Sequence, residues 1–492
     1  MEGYIKKEDR KTILFLADDM RLPSGIGVMT RELIVNNAHH YNFIHVGGAI
    51  NHPEAGKVID LSQSINEEVG LQDANVLLYP FNGYGEPDFI RFLIEKHNIN
   101  AIVHFTDPRY WIWLYHMSAE IRQRVPIFYY HIWDDLPAPH YNRPYYESCD
   151  LLMGISKQSY NISKLVLGKD NYIDLDNQPT LDQIKTNLPK VSFVPHGINE
   201  KFFYPLDRQS EEVQTMRTRI FNGQNPKFVL FFNNRNIRRK MAPDAILAFK
   251  KFCESLPKEE VSQVRFVLHT SKVDENGTDL PAVINAVCPE LKDHIIITDA
   301  RISPQELNQL YSCCDVVINI GSNEGWGLSS TEALLTGRVL INNVTGGLQD
   351  QCRFEDEKGN WLNFTEDFAT NHGGKYKKHG EWVYPVFPAS ISLQGSVPTP
   401  YIFDDRCSVA DIVQAIKYWY DMDSAERTAR GLKGREWALS DEASFTAVKM
   451  AYKFRQSVNT VLENWVAPPR FFLYNVEERV NKFKNKKSGI SF

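Results

Sequence analysis

The segment Ile320-Gly-Ser-Asn-Glu-Gly-Trp-Gly-Leu-Ser-Ser-Thr-Glu-Ala-Leu-Leu-Thr-Gly337 decides the fold. It follows an apolar run, residues 316–320, that reads as a buried strand, and it opens a helix that Gly337 can cap. Glu324 falls in the strand-to-helix loop and Glu332 on the helix, eight positions later. Loops at the carboxyl ends of parallel strands are where open α/β sheets bind ligands. The amides around Gly327 and Leu328 make the helix start a site for an anion such as a diphosphate. Carboxylates beside it suit hydroxyl recognition, because an ionised carboxylate accepts strong hydrogen bonds.

Outward from this loop, short apolar runs alternate with helical or polar stretches. On the amino side they are 12–17, 43–46, 76–79, 101–105, 127–130, 151–155 and 191–194, then 228–232, 265–269, 294–298 and 316–320, and on the carboxyl side 339–342. Such alternation predicts parallel, doubly wound sheets, hence an α/β chain of two Rossmann-like halves. A Gly-containing loop around Gly25 and Gly27 follows the first strand, with a helix expected from Val28 to about Ala38. The polar stretch 206–226 reads as a linker between an N-terminal domain, 1–205, and a C-terminal one, 227–460. From Gly359 to about Asp405 the pattern breaks into Gly, Pro, aromatics and charges, an insert without regular structure. Helices are expected at 409–421, 424–439 and 443–465, and 461–492 is expected to return to the N-terminal domain.

A length of 492 residues suits two or three domains, and 43% hydrophobic with 24% charged residues is ordinary for a soluble globular protein. A net charge of −6 argues against coating nucleic acid by bulk electrostatics. Seven cysteines with no disulfide or metal-ligand spacing fit a reducing compartment, so a cytoplasmic protein is expected. The charged start, residues 1–11, is not expected to be a signal peptide, and no apolar run reaches the ~18–20 residues of a membrane span.

The 320–337 segment resembles the Glu–seven residues–Glu motif of the retaining GT-B glycosyltransferases, the group that includes glycogen and sucrose synthases. Glu324, Gly325, Gly327, Leu328, Glu332, Ala333 and Gly337 match that pattern, with Trp326 where Phe is usual. Asn233-Asn-Arg-Asn-Ile-Arg-Arg-Lys240 resembles the family's Gly-Arg-x-x-x-x-Lys element, with Asn234 in place of the Gly. Pro195-His-Gly-Ile-Asn199 resembles its Pro-Asn-Gly-Val-Asp turn at the entrance to the linker.

The resemblance implies two Rossmann-like domains facing a central cleft, and sugar transfer with retention from a nucleoside diphosphate sugar. Glu324 would grip hydroxyls of the donor sugar and Glu332 those of the ribose. Arg235 and Lys240 would hold the diphosphate with the amides near Gly327, where two fixed cations stabilise the departing charge. Ser322, Gly325, Trp326, Leu328, Thr345 and Gly346 would line the donor, with Gly25 and Gly27 opposite. His131 resembles the family's strand-end His near the transferred sugar, with Asp134 and Asp135 as weaker candidates. No cofactor or metal is expected, only the donor as substrate: a uridine diphosphate sugar, or a guanosine diphosphate sugar as alternative. Asp174-Leu-Asp176 has Asp-x-Asp spacing but reads as solvated surface.

The acceptor is left open. A saccharide or glycan is one reading. A hydroxymethylated base in DNA is a second, since the basic stretch 479–487 suits DNA and the insert resembles those of viral glycosyltransferases. A non-catalytic sugar-nucleotide binder is a third, from another class.

Overall fold

Burial on both faces explains the apolar runs. β1 (Lys11–Asp18) and β2 (Tyr41–Ala49) pair in parallel, with Ile13 opposite Phe43, and their central residues are shut from solvent. A strand covered on both sides gains from a continuous apolar run rather than an alternating one. The computed structural model describes residues 3–362 and 372–470. The basic stretch 479–487 therefore lies outside the described residues.

β3 (Ile59–Asp60), β4 (Val76–Asn82), β5 (Ala101–Phe105), β6 (Ile127–His131), β7 (Leu151–Gly154), β8 (Ile173–Asp174) and β9 (Lys190–Phe193) complete a nine-stranded sheet. Its order is β3-β4-β2-β1-β5-β6-β7-β9-β8, parallel except at β3. The second domain holds β10 (Phe228–Asn233), β11 (Val264–His269), β12 (Ile295–Thr298), β13 (Val316–Asn319), β14 (Val339–Asn343) and β15 (Val383–Val386). These form a parallel sheet in the order β12-β11-β10-β13-β14-β15. The order reverses beside β1 in one sheet and β10 in the other, the switch points where such sheets bind ligands.

The described part of the insert carries regular strands that its composition did not suggest. β15 extends the second sheet by pairing with β14. A hairpin follows, β16 (Ser390–Ser396) and β17 (Thr399–Arg406). The helix expected from Val28 runs instead over Gly25–Val35, because Ser24 caps it by accepting the Gly27 N–H at 2.9 Å. Gly25 and Gly27 thus belong to a helix's first turn, not to a loop.

Two crossings join the domains, and they are hydrogen-bonded to each other. Ile198 N–H donates to Phe445 O at 3.0 Å, and Ala447 N–H donates to Ile198 O at 2.9 Å. A Cβ on Gly197 would sit 2.1 Å from Thr446 O, so only glycine fits between the crossings. The chain is back on the first domain with the helix Ala447–Asn464, where Tyr41 donates to Asn459 at 2.6 Å and Ser457 bonds Ser192 at 2.8 Å. The crossing therefore precedes residue 460. Behind the cleft an aromatic cluster, Trp326, Trp361, Trp382, Trp437 and Phe445, runs through one apolar core shared by both domains.

Candidate functional site

The loop between β13 and the helix Leu328–Leu335 is set by close backbone packing. Gly346 has φ +47° and a Cβ there would fall 2.1 Å from Glu324 O; Gly347 N–H donates to that same oxygen at 2.8 Å. Thr345 donates to Asp405 at 2.8 Å, so its hydroxyl supports the loop from behind. Gly327, at φ +87°, starts the helix with no side-chain cap. Its first amides are left to a ligand or solvent.

This backbone delivers Glu324 to two cations. Arg239 donates to Oε2 at 3.0 Å, and Lys240 forms a tighter bond to the same oxygen. Burial by itself would raise the Glu324 pKa, but Lys240 and then Arg239 outweigh it, and the carboxyl lies below its ordinary range. Asp134 faces the group from the first domain: a Cβ on Gly325 would be 2.9 Å from its Oδ1. Burial, set against the pull of Arg239, holds its pKa up.

Glu332 sits one helix face away in different surroundings. Tyr311 donates to it at 2.6 Å and Asn233 at 3.2 Å, both neutral donors. Burial pushes its pKa up to about 7. It lines an interdomain cleft of about 830 Å³ together with Gly25, Glu32, Asn199, Arg301 and Leu328. A Cβ on Gly25 would come within 3.2 Å of Leu328, which puts the first domain's helix start directly across from the helix Leu328–Leu335.

Other expected residues lie elsewhere. His131 is fully buried between the helices Arg143–Glu147 and Lys157–Leu167, with Nε2 2.6 Å from the Tyr146 hydroxyl and Nδ1 3.1 Å from Ser159 O. Burial drops its pKa to about 3, so it is a neutral core residue with both nitrogens engaged. Trp326 is likewise in the core, donating to Thr331 at 3.0 Å and packed on Phe445. Ser322 donates to Asp404 of the hairpin at 3.0 Å. Arg235 does not join Glu324; it pairs with Asp274 at 3.0 Å on the exposed rim. Of the Asp174-x-Asp176 pair, Asp176 is exposed as expected, accepting from Phe193 N–H at 2.7 Å, whereas Asp174 is largely covered and accepts from Tyr160 and Lys164.

Arg239, Tyr311, Asn233 and Asp404 were missed. The run Arg238-Arg239-Lys240 carried the charge signal, but only the 3₁₀ turn over Arg238–Lys240 shows that Arg239 points inward. Tyr311 lies 21 positions from Glu332 and Asp404 82 from Ser322, distances at which spacing carries no signal.

No family model matches the chain. It is 27% identical over 150 residues to alpha-monoglucosyldiacylglycerol synthase of Acholeplasma laidlawii, covering 30% of this chain and 35% of that one. The chain thus spans about a third of the length of this relative. Over whole structures it is similar to sucrose-phosphate synthase of Thermosynechococcus elongatus, with a TM-score of 0.62 and 14% identity over 92% of this chain and 100% of that one. It is also similar to HepE of Anabaena in complex with UDP and glucose, with a TM-score of 0.57 and 12% identity over 92% and 100%. No helix among the described residues is long and apolar enough to cross a membrane. Two parallel Rossmann-like sheets face each other across a ligand-sized cleft, with a carboxylate-bearing loop and helix start on one wall: this chain has the fold of the GT-B glycosyltransferases.

Proposed function

We propose that this chain is a retaining glycosyltransferase that moves a sugar from a nucleoside diphosphate sugar to a hydroxyl of a saccharide acceptor. The observation that carries this is the division of labour along one loop and helix: Glu324 clamped by Arg239 and Lys240, and Glu332 held by neutral donors in the open cleft. Ionised Glu324 accepts hydrogen bonds from donor-sugar hydroxyls. Glu332 takes the ribose hydroxyls, and a uridine base is the expected one, with guanosine the alternative.

Lys240, Arg239 and the amides after Gly327 meet the diphosphate. Within the buried group, two carboxylates, Asp134 and Glu324, offset the two cations, so a diphosphate calls for further positive charge. Arg235 supplies it, because its pairing with Asp274 is solvent-exposed and cheap to exchange. In the reaction the bond from the anomeric carbon to the phosphate oxygen breaks, and the bond to the acceptor oxygen forms on the same face. The acceptor's proton goes to the departing phosphate. The protein contributes position and charge stabilisation, with no metal required.

The test is nucleoside diphosphate release from a panel of nucleotide sugars, with and without chelator and with Glu332→Ala as control. Release from one donor, unaffected by chelator and weakened in the variant at donor concentrations below its raised KM, is expected. If no donor binds or turns over, the catalytic reading falls and the scaffold reading is the one to test.

A further inference from the structure

From Ser24, which lines the interdomain cleft, a run of contacts leads to the β16–β17 hairpin. Ser24, at the start of the helix Gly25–Val35, donates to Asp18 at 2.6 Å, and Asp18 accepts from Tyr84 at 2.8 Å. The Tyr84 ring lies 5.1 Å from that of Tyr110, which is 54% exposed. Arg109 donates to Thr399 at the turn of the β16–β17 hairpin at 2.8 Å. The hairpin then returns to the donor loop: Tyr141 donates to Tyr401 O at 2.9 Å, Phe403 N–H to Leu136 O at 2.8 Å, and Ser322 and Asn323 to Asp404 at 3.0 and 2.9 Å. A strap carried by the second domain thus seats on the first and closes the wall that begins at Gly25.

The charges along that wall are already spoken for. Arg21 pairs with Asp19 at 2.7 Å and Glu54 at 2.8 Å, Arg31 with Glu68 at 2.5 Å and Glu32 at 3.4 Å, and Arg109 with Asp107 at 2.5 Å. With Asp18, three guanidiniums meet six carboxylates on the first domain's side. These half-exposed pairs can open, but the excess of carboxylates leaves this side net negative, a field that opposes a phosphorylated acceptor. Aromatic faces with hydroxyl and carboxylate edges suit the opposite chemistry, an uncharged ring bearing hydroxyls.

We infer that the acceptor is an uncharged saccharide, received against Tyr84 and Tyr110 under the hairpin, and that this acidic wall rejects phosphorylated sugars. The inference rests on the transferase reading above. The assay uses the full chain with the donor selected by the release panel. The probes are three pairs: glucose and glucose 6-phosphate, fructose and fructose 6-phosphate, inositol and inositol 3-phosphate. Donor-dependent diphosphate release should be stimulated at least about tenfold more by the neutral member of a pair. Asp107→Asn, which frees Arg109, should shift the neutral-to-phosphorylated ratio towards the phosphorylated member by about tenfold, with the thermal midpoint showing that the variant is folded. Tyr110→Ala should raise the acceptor KM and leave the donor KM unchanged. A phosphorylated member preferred or equal overturns the inference. So does stimulation by neither member in all three pairs while donor release persists, or a ratio that Asp107→Asn leaves unmoved. Loss of donor release altogether is a different failure, that of the transferase reading beneath it.

Discussion

Glu324 and Glu332 belong to one loop and helix, yet the fold treats them as opposites. Glu324 is locked by two cations and kept below the ordinary carboxyl range. Glu332 has only a phenol and an amide, and titrates at about 7. The difference teaches where the fold places charge. On the proposed function, the cations serve a departing diphosphate and the neutral donors a nucleoside, since hydroxyls need hydrogen bonds rather than counter-charge.

The comparison breaks most visibly at its charged end. Lys240→Ala should lower turnover by on the order of 10²–10³, the usual loss for one preorganised stabilising group. Single-turnover kinetics with saturating donor would show it, and turnover within about twofold of wild type would remove Lys240 from the chemistry. Arg239→Ala should cost more turnover than Arg235→Ala, because only Arg239 contacts Glu324 in this structure. The reverse order would return the main phosphate role to Arg235.

At the neutral end the effect falls on binding. Glu332→Ala should weaken donor affinity by about 10- to 100-fold, the value of a hydrogen bond to a charged group, and change turnover at saturation little. Calorimetric titration with the donor measures it. The pH dependence sharpens the contrast. A carboxyl with its pKa raised to about 7 is protonated below that pH and, on the proposed function, accepts from both ribose hydroxyls only above it. Donor affinity should therefore rise between pH 6 and 8 by up to about tenfold per unit, the limit for one linked proton. In Glu332→Gln the profile should be flat; an unchanged slope would assign the titration to another group.

The smallest effect on turnover belongs to His131. His131→Phe leaves the buried Tyr146 hydroxyl without its 2.6 Å partner, while the Ser159 carbonyl keeps the Ser163 hydroxyl, a cost of about 1–3 kcal/mol in stability. Urea unfolding should report that loss, while turnover per folded molecule stays near wild type. A large fall in turnover at unchanged stability would bring His131 back to the site.

Much of this was legible in the residues. Continuous apolar runs such as 12–17 and 228–232 fall within β1 and β10, because strands buried on both faces must be apolar throughout. The loop from Ile320 to Gly337, the basic turn before Lys240 and the glycines at 346–347 could be placed because local chain geometry needs those residue types where they stand. The hairpin could not: its outer strand is mostly exposed, so it carries neither a buried run nor a clean alternation. Nor could the direction of a side chain. His131 ends a strand as a catalytic histidine would, and Arg235 precedes Lys240 at the expected spacing, yet one points into the core and the other to the rim. Local sequence determines backbone path and burial pattern, through forces that act between near neighbours. Which charge meets which was decided by tertiary contacts such as Tyr311 with Glu332 and Asp404 with Ser322, whose partners lie far apart in the chain and meet only when the two sheets are packed.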